Sequence, residues 1–153
     1  MAKMRGLNKS VLELLTLFLL LCEARVLVSG RTHVHLINQI GSDLNVHCWS
    51  KDDDLGQHTI PSGQEYQWRF NRLFVNDIHM RTRFHCSVSW AEAYDYQLLA
   101  YESFRDHYSC GGNPDGRNHD CLWLFAPEGI YFYDYQSSIW SLRYPWPWPQ
   151  SIP

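Results

Sequence analysis

Thr82-Arg83-Phe84-His85-Cys86-Ser87-Val88-Ser89-Trp90 decides the fold. Phe84, Cys86, Val88 and Trp90 take one side of an extended chain, and Arg83, His85, Ser87 and Ser89 take the other. Successive side chains of a strand leave opposite faces, so this alternation marks a half-buried antiparallel strand. The same period runs outward from it. Leu44, Val46 and Cys48 share a face in Leu44-Asn45-Val46-His47-Cys48-Trp49, and Tyr66, Trp68 and Phe70 alternate with Gln67, Arg69 and Asn71. Residues 33–37, 96–101, 121–126 and 130–135 are further candidates, rich in the aromatic and branched residues that strands prefer.

Turn residues punctuate these runs. Gly41-Ser42-Asp43 follows the first, Pro61-Ser62-Gly63 precedes the Tyr66 strand, and Pro127-Glu128-Gly129 has the spacing of a tight hairpin. Helical periodicity competes only over residues 92–104. The pattern predicts an all-β chain: a small antiparallel β-sandwich of about seven to eight strands, stapled by two disulfides. Two segments stand apart. Residues 111–120 are pure loop in composition, and beyond residue 136 prolines alternate with aromatics, which predicts a polyproline-like extension.

The N-terminus reads as a secretory leader. Lys3, Arg5 and Lys9 precede an apolar run from Val11 to Leu21, about half the roughly 20 residues that span a bilayer. Small residues allow cleavage after Gly30 or after Ala24; the first is preferred. The expected organisation is a signal peptide over 1–30, a β-sandwich over 31–136 and a Trp/Pro-rich tail over 137–153, with no membrane span after processing. Cleavage removes four of the 13 Lys+Arg and two of the 16 Asp+Glu, leaving a net charge of −5. An acidic chain without a basic patch is a poor match for nucleic acid. Cys48, Cys86, Cys110 and Cys121 remain, an even number that reads as a disulfide framework with three possible connectivities.

Chemistry-bearing clusters are sparse. His47-Cys48 and His85-Cys86 are strand neighbours whose side chains diverge, so neither pair converges on an ion. His33 and His35 share a face, but two ligands do not close a zinc site, which takes four. No metal and no cofactor are expected. Lys51-Asp52-Asp53-Asp54 lacks calcium-loop spacing and reads as an acidic loop suited to recognition. No nucleophile elbow, metalloprotease helix motif or phosphate-binding glycine loop occurs, so no enzyme is expected and no catalytic residue is named.

Read in order, these residues resemble a known family. His35-Leu36-Ile37-Asn38 leads to His47-Cys48-Trp49-Ser50-Lys51-Asp52-Asp53-Asp54-Leu55-Gly56. Gly63, Trp68-Arg69-Phe70 and Phe84-His85-Cys86-Ser87-Val88-Ser89-Trp90 follow, then Tyr101, Arg105-Asp106, Cys110, Cys121-Leu122-Trp123 and Glu128-Gly129-Ile130. Over about residues 33–135 this is similar to the plant self-incompatibility S-protein homologue family, most distinctively in the Ser-Lys-Asp-Asp-Asp-Leu-Gly element. The resemblance implies a small secreted, non-enzymatic β-sandwich, located in the apoplast. In the founding members it implies a pistil ligand that pollen detects at its surface, arresting self pollen. Trp49, the long loop between Cys110 and Cys121 and the Trp/Pro tail depart from the family's pattern.

The expected partner is a cell-surface receptor, met by a monomer. Four loops are expected to carry specificity, through Lys51, Asp52, Asp53, Asp54, Arg72, Asn76, Asp77, Glu92, Asp95, Asn113, Asp115 and Arg117. With Cys48, Cys86 and Cys121 on inward strand faces and Cys110 in a loop, the expected bridges are Cys48–Cys121 and Cys86–Cys110. The alternative function is a lectin-like carbohydrate-binding module or apoplastic hydrolase, with Trp49, Tyr131, Tyr133 and the tail tryptophans as a sugar-stacking platform.

Overall fold

Alternation in the sequence becomes two facing sheets. The computed structural model describes residues 30–71, 74–75, 78–79, 82–90, 93–106, 109–112 and 118–146, with seven helical positions between 9 and 17. The strands are β1 (Arg31–Asn38), β2 (Leu44–Trp49), β3 (Asp54–Ile60), β4 (Glu65–Asn71), β5 (Phe74–Val75) and β6 (Ile78–His79). After them come β7 (Arg83–Trp90), β8 (Ala93–Glu102), a helical turn α1 (Ser103–Asp106), β9 (Gly111–Gly112), β10 (Asn118–Ala126), β11 (Gly129–Asp134) and β12 (Ile139–Pro145). The larger sheet runs β12-β11-β10-β1-β4 with β9 on β10; the smaller runs β3-β2-β7-β8; β5 and β6 pair separately.

The faces predicted to be inward are the faces that meet. Val34 and Leu36 of β1, Trp123 and Phe125 of β10, and Ile130 and Phe132 of β11 pack against Leu44, Val46, Phe84, Val88 and Leu98 of the smaller sheet, all nearly sealed from water. Buried aromatics of this size dominate the energetics of such a core. Two polar groups tie the layers. The Trp123 indole N–H on β10 donates to the Ala100 carbonyl on β8 at 2.8 Å. Asn38, fully buried at the end of β1, donates from its amide to the carbonyls of Ile60 (2.7 Å) and Ser42 (2.8 Å) and accepts from the Ile40 N–H (3.0 Å).

Several expectations change. The sheets are not wholly antiparallel: β1 lies parallel to β10 in register from Arg31↔Asn118 to Asn38↔Phe125. The chain between them crosses both layers and supplies the long connection that a parallel pair needs. Residues 54–60 form edge strand β3, which takes in Asp54 of the expected acidic loop; its polar surface hides the period of two. The expected strand at 96–101 is present as part of β8, and the competing helix is confined to the turn α1.

The expected extension after residue 136 is instead strand β12 on β11, followed by Trp146 in the core. Ile139 to Tyr144 carries no proline, and Pro145 closes an edge strand, where a missing N–H is tolerated. Trp146 sits 4.1 Å from the Trp90 ring and donates to the Ala126 carbonyl at 2.6 Å, plugging one end of the sandwich.

Cys48, Cys86, Cys110 and Cys121 are all oxidised, but the pairing is Cys48–Cys86 and Cys110–Cys121 rather than Cys48–Cys121 and Cys86–Cys110. Cys48 lies directly opposite Cys86 on neighbouring strands β2 and β7, with Cα atoms 4.0 Å apart. Cys110 comes opposite Cys121 because β9 folds back on β10, pairing Gly111 with Asp120. Inward orientation, shared by Cys48, Cys86 and Cys121, does not say which sheet a cysteine belongs to, and each bridge stays within one sheet.

Two measurements follow from this architecture. The bridges span 38 and 11 residues, so in the chain-entropy model Cys48→Ala/Cys86→Ala should lose about 4 kcal/mol and Cys110→Ala/Cys121→Ala about 3 kcal/mol in urea unfolding. Asn38→Asp keeps the shape but replaces the two amide donors with a carboxylate, and it should lower stability by about 3 kcal/mol. A loss under about 1 kcal/mol would show the Asn38 bonds to be dispensable.

Candidate functional site

The acidic turn between β2 and β3 builds itself. Ser50 donates its N–H to the Asp53 carbonyl at 2.7 Å, and its hydroxyl accepts from the N–H groups of Asp52 (3.3 Å) and Asp53 (3.0 Å). Asp54 Oδ1 accepts from the Gly56 N–H at 2.9 Å and lies 2.7 Å from His47 Nε2. Gly56 has φ +76°, a left-handed conformation that glycine reaches without steric penalty. The run therefore divides into two kinds of residue. Ser50, Asp54 and Gly56 fix the turn, while Lys51, Asp52 and Asp53 stand exposed at its tip.

Of the other predicted recognition residues, Arg72, Asn76, Asp77, Glu92, Asn113, Asp115 and Arg117 lie outside the described residues, and Asp95 is placed only as a β8 backbone position. Arg105 and Asp106 take a structural part. Asp106 is 2 % exposed, accepts from the Glu102 N–H at 2.7 Å and holds the Arg105 guanidinium at 2.6 Å. They line a cavity of about 130 Å³ with Ser109, Trp123, Phe132, Arg143 and Tyr144. Sites for small-molecule ligands run to about 300–1,000 Å³, and this one falls below that range.

The aromatics proposed as a sugar platform separate. Trp49 lies half-buried on the outer face of the smaller sheet, between His47 (5.4 Å) and His85 (6.1 Å). Tyr131 and Tyr133 lie on the outer face of the larger sheet, where Tyr133 contacts Tyr135 at 4.8 Å and Trp140 at 5.2 Å. The two groups face away from each other and cannot hold one ligand together.

On the same outer face, His33 and His35 meet a residue that the sequence left out. The register sets Asp120 of β10 beside His33, with Asp120 Oδ1 3.0 Å from His33 Nδ1 and 3.7 Å from His35 Nε2. His35 Nδ1 lies 3.6 Å from Glu65 Oε1 on β4. Tyr135 borders the group; burial raises its phenol above the ordinary 10, and the charges of Asp120 and Tyr133 add to the rise. Reading strand by strand finds the two histidines. Finding Asp120 takes the β1–β10 register.

The acidic turn yields a pH prediction. The Gly56 N–H first, and His47 second, hold the Asp54 carboxyl below its ordinary 3.8. A group with a lowered pKa stabilises the fold above its unfolded value and stops doing so as pH falls through the folded one. The contribution of ionised Asp54 to the turn should therefore be present above pH 3.8 and fade only below it, while the Ser50 bonds persist. NMR titration should place Asp54 below 3.8, and His47→Ala should raise it part of the way back.

Comparison with known proteins agrees with this geometry. The profile of the plant self-incompatibility protein S1 family matches residues 33–146. Self-incompatibility protein S1 of Papaver rhoeas is 30 % identical over 71 % of this chain and 73 % of its own length. S-protein homolog 2 of Arabidopsis thaliana is 29 % identical over 79 % and 71 %. A solved structure of self-incompatibility protein homologues, described as small, highly stable, secreted plant proteins, covers 78 % of this chain and 92 % of its own, with a TM-score of 0.50 at 17 % identity. The shared span takes in both cystines, the self-bonded acidic turn and β12. This chain belongs to the plant self-incompatibility protein S1 family.

Proposed function

We propose that the chain is a secreted, non-enzymatic recognition ligand acting in the apoplast, and that it meets a cell-surface receptor through the tip of the β2–β3 turn. The observation that carries this reading is the division of labour in residues 50–56. Internal hydrogen bonds hold the backbone, and Lys51, Asp52 and Asp53 are left exposed on it. A turn ordered before contact loses little conformational entropy on binding, which is the advantage of preorganisation. Family membership supports a role in signalling, and the Papaver relative carries the name of a self-incompatibility protein. By this reading the chain reports identity between cells, and rejection of self pollen is one form that report takes. The oxidised chain and its disulfides suit an extracellular setting.

The test is cross-linking of the labelled, oxidised chain to plant cell-surface membranes, followed by competition with variants. Asp52→Asn/Asp53→Asn should weaken competition about tenfold or more, since a contacted charge is worth roughly 1–3 kcal/mol. The far-UV CD spectrum should not change, because neither side chain holds the turn. Undiminished competition by this variant would remove the β2–β3 turn from the interface.

A further inference from the structure

We propose that His33, His35 and Asp120 form a binding site for a borderline divalent transition cation, zinc(II) in the first instance, on the outer face of the larger sheet. One ligand atom from each residue falls within a group whose members all lie within 4.8 Å of one another. Zinc bonds nitrogen at about 2.0–2.1 Å and carboxylate oxygen at about 2.0–2.2 Å, so tetrahedral neighbours stand about 3.4 Å apart. The two separations to Asp120, 3.0 and 3.7 Å, bracket that value. Small side-chain rotations complete the approach.

Three further features point to a metal rather than to a His–Asp hydrogen bond alone. A single carboxylate oxygen faces two imidazoles, which is one more ring than a hydrogen-bonded pair needs. The second nitrogen of His35 faces Glu65, and metal-bound histidines characteristically direct their other nitrogen to a carboxylate or carbonyl. Finally, all three ligands ride on paired strands of fixed register, the kind of support that holds a site within a fraction of an ångström.

The donor set selects the ion. Two imidazoles and one carboxylate suit zinc or copper, whereas calcium and magnesium ask for oxygens throughout. Three protein ligands leave one coordination position open, and the side chains of His33, His35 and Asp120 retain 29 %, 17 % and 41 % of their surface. Water or an outside ligand can therefore complete the shell. Arg69, opposite His33 on β4, is exposed and can carry its charge into solvent. The site belongs to the larger sheet and the acidic turn to the smaller, so this inference stands or falls apart from the recognition reading.

Titration calorimetry tests it, using the full chain collected from culture medium without a histidine tag, oxidised and stripped of metal. Zinc chloride should give one saturable site per chain. His33→Ala/His35→Ala should weaken that binding more than about 100-fold, and Glu65→Gln about tenfold. Calcium chloride should give no isotherm. On the unaltered chain, which needs no variant to fold, NMR should show zinc shifting the ring signals of His33 and His35 before those of His47, His58 and His85. The proposal is overturned by absence of a saturable site, by equal response to calcium, by binding that survives the double variant, or by ring shifts centred on the other histidines.

Discussion

The position of β1 between β4 and β10 is the constraint on which the rest of this structure depends. Its parallel partner lies 87 residues further along the chain, so the pairing rests on a long-range closure and not on a local turn. That single register aligns Val34 and Leu36 with Cys121 and Trp123 across the inner face. It also fixes the outer face, where His33 meets a carboxylate 87 residues away. At the end of the same strand, Asn38 ties the larger layer to the turn at Ser42 and the last residue of β3. Slipping β1 by one residue would turn every one of these side chains to the wrong face.

Central strands were legible in the sequence because both of their neighbours and one of their faces constrain them. Around Phe84, Cys86 and Val88 the alternation is complete, and burial follows it residue by residue. Edge strands escape that logic. β3 carries Gln57, His58 and Thr59, and β12 leaves Ile139, Trp140 and Leu142 exposed, so neither shows a clean inward face. In β12 the prolines nearby also masked a proline-free stretch that pairs normally.

Side-chain partnerships were harder to read for a different reason. A period of two gives the face on which a residue lies, and partnership requires the neighbouring strand as well. Cys48 and Cys86 were placed inward correctly, yet their adjacency depends on β2 lying next to β7. The loop composition of residues 111–120, closed at each end by a cysteine, was the one available sign that Cys110 and Cys121 pair. Asp120 could not be added to His33 and His35 without knowing that β10 runs parallel to β1. In the acidic turn, a run of like residues concealed two roles, since only the hydrogen bonds distinguish Asp54 from Asp52 and Asp53.

Confinement of each cystine to one sheet bears on how the chain matures. Cys110 and Cys121, 11 residues apart, are the nearest two of the four cysteines in sequence, and short loops close with the smallest entropy loss. An oxidant meeting the newly translocated chain is thus biased towards a native bridge first. Once that pair is made, Cys48 and Cys86 are the two of these four that remain, and they have only each other to join. A chain that closes the short loop first therefore has no wrong pairing left to make among these four cysteines.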